Sequence, residues 1–170
     1  MKRLAAVILT ASMGLALAGC SGNPYKEGVS QLESKKYKQA EASFKEAVNT
    51  ADAYRGIGIA CWEQKEYKAA LKAFKNAVKA GTKENATLYN LMGGCALKLD
   101  DGKSALSYYE KGLAASGSSD ELKKEMEYNV IVSYEKMQNW EKAKSKLNEY
   151  LEKYPDDETA KKEVEFLETR

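Results

Sequence analysis

Two nearly superimposable patterns stand thirty residues apart in this chain. Tyr37, Ala40, Phe44 and Ala47 return as Tyr67, Ala70, Phe74 and Ala77, and Gly28 returns as Gly58. Agreement under a single shift marks a repeat architecture, one small unit copied and stacked. No such unit buries its apolar face alone, so each copy must lean on its neighbours. Two further copies follow at longer intervals: Gly93, Ala105 and Tyr109, then Trp140, Ala143 and Leu147. In each, apolar residues recur at helical spacing, a short polar break follows, and a second helical run begins. The breaks are Ser34-Lys35-Lys36, Gln64-Lys65-Glu66, Asp100-Asp101-Gly102 and Gln138-Asn139. Proline occurs only at 24 and 155, outside these runs, so nearly the whole array reads as helix.

The pattern resembles the tetratricopeptide repeat, a helix-turn-helix unit with aromatic, glycine and alanine positions in fixed order. The second copy carries it most fully, in Tyr54, Ile57, Gly58, Ala60, Tyr67, Ala70, Phe74 and Ala77. The third has Gly102 and Gly112 where the family has Tyr and Ala, and the fourth has Ile131 in place of the glycine. The resemblance implies an all-α solenoid of about four repeats. Its units align at 21–50, 51–85, 86–123 and 124–157, with an array proper over 25–157 and a C-terminal capping helix over 158–170. Unit one is four residues short at its exit, about one helical turn. Ala40, Ala70, Ala105 and Ala143 are expected where the helices of a unit cross closely, and the aromatics at 37, 44, 67, 74, 109 and 140 between successive pairs. Asp156 and Asp157 open the cap, with Val164, Phe166 and Leu167 as its anchors, and Ser118 with Glu121 has capping-box spacing.

Ahead of the array stands a different kind of segment. Met1-Lys2-Arg3 is a basic start, Leu4 to Ala18 is apolar, and the run closes on Leu17-Ala18-Gly19-Cys20. That order reads as a secretory signal over residues 1–19. Its last four residues resemble the bacterial lipobox, which implies cleavage before Cys20 and a diacylglycerol thioether on it. The other reading is an ordinary secreted protein with a cysteine at its cleavage site. Only residues 21–24 separate Cys20 from the first helix, a reach of ~13 Å fully extended. The array is then held close to the cell membrane, outside the cytoplasm. Ser21 is not the acid that retains lipoproteins at the inner membrane of some two-membrane bacteria, which leaves the outer membrane open.

Removal of that segment changes the charge argument. Residues 1–19 hold Lys2 and Arg3 and no acid, so the 27 basic and 25 acidic side chains of the whole chain become 25 of each. A basic patch for nucleic acid is not implied by that balance. The chain has no histidine, which removes histidine-based triads and zinc sites. Cys61 and Cys95 lie mid-helix among small neighbours, where buried inert thiols are expected. Paired acids at Asp100-Asp101 and Asp156-Asp157 fall at turns or helix starts, and capping accounts for them. No catalytic residue, metal or dissociable cofactor is therefore expected; the one covalent group is the lipid on Cys20.

Binding is the better reading. In the family it resembles, the first helices of successive units line the inside of a superhelix. The positions carried over by alignment include Tyr25, Arg55, Ile59, Trp62, Asn90, Leu97, Tyr128 and Glu135, with Leu32 and Val132. An aromatic and aliphatic strip with a few polar groups suits an extended or helical peptide. Leu32, Leu97 and Val132 read equally as the last layer of the core. Ile59 and Gly94 stand where a terminal-carboxylate clamp would need asparagine, against that binding mode. The expected role is an interaction scaffold of the cell envelope with a protein or peptide partner. The competing class is a substrate- or cell-wall-binding lipoprotein, and self-association through the first unit is a third outcome.

Overall fold

The computed structural model describes residues 22–47 and 50–170. The signal segment, Cys20 and Ser21 lie outside them. Nine helices follow in order among the described residues: α1 (Pro24–Glu33), α2 (Tyr37–Glu46), α3 (Ala51–Glu63), α4 (Tyr67–Lys79), α5 (Ala86–Lys98), α6 (Gly102–Ala114), α7 (Asp120–Lys136), α8 (Trp140–Lys153) and α9 (Glu158–Glu168). None is long and apolar enough to cross a membrane. They stack as the hairpins α1–α2, α3–α4, α5–α6 and α7–α8, with α9 closing the far end, and each helix packs on its chain neighbours. The chain is an all-α repeat solenoid, as the pattern predicts.

Local chemistry sets the helix limits. Oxygens of Asn23, Thr50, Asn85, Asp101, Ser119, Asn139 and Asp157 each accept a backbone N–H in the first turn of the helix that follows. Such a cap satisfies donors that have no partner inside the helix. The turn inside each hairpin is one motif used four times. Lys35, Lys65, Asp100 and Gln138 take φ of 57°, 62°, 62° and 56°. The next N–H donates back to the carbonyl five residues earlier, Lys36 to Gln31, Glu66 to Cys61, Asp101 to Ala96 and Asn139 to Tyr134, at 2.8–2.9 Å. This is the left-handed helix ending usually supplied by glycine.

Packing follows the expected small-against-large scheme, with one substitution of parts. A Cβ on Gly28 would stand 2.8 Å from the Phe44 ring, and one on Gly93 2.7 Å from Tyr109; Gly58 meets Phe74 more tightly still. In unit four the bulk is transferred: Ile131 fills the glycine position and Leu147 stands where the aromatic would be, both buried in the C-terminal cluster. The total volume is kept, which cores tolerate best. Ala40, Ala70, Ala105 and Ala143 are wholly buried.

Several expectations need correction. The aromatics divide: Phe44, Phe74 and Tyr109 are buried, whereas Tyr37, Tyr67 and Trp140 open their helices and stay half-buried. The cap of α7 is Ser119, whose Oγ accepts from Leu122 N at 3.2 Å, and Ser118 is not the cap. As a result α7 begins at Asp120, ahead of the unit boundary at 124. Phe166 is no core anchor: it is 40% exposed, edge-on to Trp140, with the Arg170 guanidinium 4.9 Å from its ring. Ala160 and Leu167 are the residues α9 buries.

Candidate functional site

The odd-numbered helices stand side by side and exchange side-chain contacts. Asn90 Nδ2 on α5 donates to Glu125 Oε1 on α7 at 3.1 Å, and the Tyr128 hydroxyl on α7 donates to Glu163 Oε2 on α9 at 3.3 Å. The candidate residues therefore share one layer, in three groups. At the α1 end the Tyr25 ring tilts against Phe44 with centroids 5.7 Å apart. Burial and the Asp52 carboxylate push the Tyr25 hydroxyl above its usual pKa, with Arg55 pulling the other way, so Asp52 and Arg55 of α3 stand near it. A depression of about 750 Å³ lies beside this group, lined by Tyr25, Thr50 and Asp52 among others and open to solvent.

In the middle, Ile59 and Trp62 are half-buried against the core shared by α3, α4 and α5. Trp62 is also edge-on to Tyr67, with centroids 5.1 Å apart. Leu32 and Leu97 pack on core clusters, which favours the core reading for both. Asn90 is only 1% exposed, and its Oδ1 has no hydrogen-bond partner. It belongs to the crease between α5 and α7 and not to an open surface.

The third group lies on α7. Glu125, Tyr128, Val132 and Glu135 occupy positions i, i+3, i+7 and i+10, one face of a helix. Burial, and then the Glu163 carboxylate beside it, raise Glu135 from an ordinary 4.5 to about 7. Burial raises Glu125 as well, opposed by the bond from Asn90. Two of these residues, Glu125 and Glu163, are absent from the sequence expectation. The signal that would have found them is spacing: both interhelical bonds span 35 residues, close to one repeat.

Elsewhere, Cys61 and Cys95 are buried thiols, pushed up by burial to about 11 and about 12. Neither is a thiolate at neutral pH, as a nucleophile would need to be. Glu41, Cys61 and Glu66 bring one ligand atom each within 4.8 Å of one another, but Glu41 already accepts from Lys45 and Gln64.

Known proteins share this fold. The solved structure of YrrB, a TPR protein with an unusual peptide-binding site, is 23% identical, covers 81% of this chain and 70% of its own, and superposes with a TM-score of 0.69. MamA from Desulfovibrio magneticus RS-1 is 19% identical over 88% of this chain and 86% of its own, with a TM-score of 0.74. The APC/C hetero-tetramer Cut9-Hcn1 covers 85% of this chain and 29% of its own at 16% identity, with a TM-score of 0.65. At these identities the likeness is one of fold. No curated protein sequence matches. Tetratricopeptide-repeat family models match residues 25–82, 58–120 and 127–157, most of the chain, which therefore belongs to the tetratricopeptide repeat family.

Proposed function

We propose that this protein is a lipid-anchored interaction scaffold of the bacterial cell envelope, holding a peptide or protein segment in the groove formed by its odd-numbered helices. The observation that carries the reading is the shared layer itself. It presents half-buried Tyr25 on α1, Arg55, Ile59 and Trp62 on α3, and Tyr128 and Glu135 on α7, apolar surface for affinity beside polar groups for register. The peptide-binding site of YrrB, on the same fold, supports it. Large aromatics are the typical interface anchors, and Trp62 is the tryptophan on α3. Burial keeps the Cys61 and Cys95 thiols protonated at neutral pH. Anchoring rests on Leu17-Ala18-Gly19-Cys20 and would raise the effective concentration of the groove toward partners on the same membrane.

Photo-crosslinking in the native membrane tests the groove. A photoreactive aromatic in place of Trp62 should give a discrete adduct, and one in place of exposed Lys75 on α4 should not. Adducts from position 75 alone would move the interface to the outer face; silence from both would remove the groove as the working site. Palmitate labelling tests the anchor. Label should appear in the wild-type chain and vanish in Cys20→Ser; an unlabelled wild-type chain would remove the lipid.

A further inference from the structure

We propose that a row of lysines on the outer face of α4 docks this protein on an anionic phospholipid surface, with its groove turned away from the membrane. The inference rests on the lipid-anchor reading and adds how the anchored chain is held. Lys68, Lys72, Lys75 and Lys79 stand at i, i+4, i+7 and i+11, one stripe of α4, and all four are exposed. Ala70, Ala73, Phe74 and Ala77 are the residues α4 buries, half a turn round the helix from that stripe. Exposed Lys65 and Lys83 extend the charge beyond each end of the helix.

Charge is segregated here. Residues 65–83 hold six lysines and one acid, although basic and acidic side chains balance over residues 20–170. No acid lies on α4, whereas α2, α6 and α8 mix their lysines with Glu41, Glu110 and Glu149 among others. Among the described residues no ion pair involves the four lysines of the row. The one acid of the segment, Glu66, has a carboxylate oxygen within 4.8 Å of Glu41 and Cys61, toward α2 and α3. Asp101 caps α6, and hydrogen bonds from Ser104, then the Lys75 charge, hold its carboxyl below the usual range. Like charges three and four apart repel, and Lys68 stands in the first turn, where the helix dipole opposes a cation. Such a row destabilises its own helix and gains when an anionic surface neutralises it.

The surroundings of the row select lipid over protein. A protein partner takes most of its affinity from desolvated anchors. Among the described residues the exposed large apolar side chains are Leu99 and Phe166, neither of them on α4. An anionic bilayer needs charge alone, since each lysine brought within about a Debye length adds attraction. The row runs about 16 Å along α4, and a planar surface meets all four lysines at once. Residues 21–24 reach ~13 Å at most, so the anchored array stays close to the headgroups. Lipid beneath the even-numbered layer leaves the odd-helix groove open to a partner.

The full chain, purified from membranes in detergent, is added to preformed vesicles of phosphatidylcholine with or without phosphatidylglycerol. A membrane-impermeant acetylating reagent then reports each lysine by mass spectrometry. On the anionic vesicles the four row lysines should react at least about tenfold more slowly than on the neutral ones, as engagement of two lysines would already give. Exposed Lys162 on α9 should not change. Salt at about 1 M, where the Debye length falls to about 3 Å, should restore the row. Lys72→Gln with Lys75→Gln should return Lys68 and Lys79 to their neutral-vesicle rates, and the corresponding arginine pair should keep them shielded, with melting temperatures no lower than wild type certifying the fold. Equal rates on both vesicles, slowing that includes Lys162, or shielding that survives the glutamine pair would overturn the inference. Shielding by polyglutamate but not by phosphatidylglycerol would make the partner an acidic protein segment and overturn the lipid surface. A chain that stays on both vesicles with its row reactive keeps the anchor and loses the docking face. One that leaves the neutral vesicles but is shielded on the anionic ones keeps the docking face and loses the anchor.

Discussion

Gly58 lies beneath the Phe74 ring, where a single methyl group decides whether α3 and α4 can meet. Gly58→Ala should cost about 1–3 kcal/mol, the usual range for overpacking a tight core. Gly81 provides the control, with φ of 99° and nothing within 4 Å of a built Cβ, so its substitution strains backbone without crowding. Urea melts of both variants would show whether crowding is the cause. If Gly58→Ala melts like wild type, the close approach is not what that glycine serves. Glu135 makes a different kind of prediction. Its ordinary value of 4.5 rises to about 7 on folding, so the folded chain holds a proton there that the unfolded chain has lost. Stability from this group is full below about 4.5 and declines as pH climbs to about 7. Asp157 works in another window. Burial opposes its ionisation, yet Lys124 and Tyr150 hold it down to about 2, so its contribution fades only in strong acid. Between pH 5 and pH 8 the wild type should therefore lose stability, and Glu135→Gln should lose less. Parallel pH profiles for the two would show that Glu135 does not carry the effect.

At the scale of the element, the hairpin turns and the last helix carry the testable content. Lys65 sits at φ 62°, a conformation that costs an L-residue side chain about 1–2 kcal/mol. Lys65→Gly should gain roughly 0.5–1 kcal/mol, because relief of that strain exceeds the extra entropy of glycine in the unfolded chain. Lys65→Val should move the other way, and calorimetry on the pair would separate backbone strain from loss of the lysine charge. Asp157 unites three tasks: it caps α9, pairs with Lys124 at 2.9 Å and accepts from the Tyr150 hydroxyl at 2.9 Å. Asp157→Ala should cost about 1–2 kcal/mol through the lost cap alone. The loss should appear as faster amide exchange confined to α9. Exchange that rises equally in α3 would mean the helix does not dock as a separate element.

For the whole molecule, stacking makes stability nearly one-dimensional, each unit leaning on its neighbours. The end elements have a neighbour on one side only, and α2 at 10 residues is shorter than α4 or α6 at 13. Amide protection should accordingly peak in α5 and α6 and fall toward α1–α2 and α9. Uniform protection from end to end would show a single cooperative unit instead. The same geometry explains the long reach of the candidate site. Side chains that meet on the odd-helix layer come from positions about one repeat apart, so that layer forms only once several units have stacked.

Helix, turn and unit were legible in the residues themselves, because they depend on contacts a few positions apart. The shift that carries Tyr37, Ala40 and Phe44 onto Tyr67, Ala70 and Phe74 sufficed for the architecture, and the polar breaks marked all four turns. Register alone assigned Trp62, Tyr128 and Glu135 to first helices of their units, and they lie on α3 and α7. Caps were less secure: Ser118 and Ser119 are chemically alike, and only the path of the chain selects Ser119. With that cap α7 starts at Asp120, and Glu125 on it accepts from Asn90. Tertiary structure alone decided the rest. Burial of Asn90, the meeting of Glu135 with Glu163 and the exposure of Phe166 all depend on how tightly one helix layer closes on the next. Repeat spacing says which residues share a layer, whereas burial and unmet hydrogen bonds exist only when the layers are in contact.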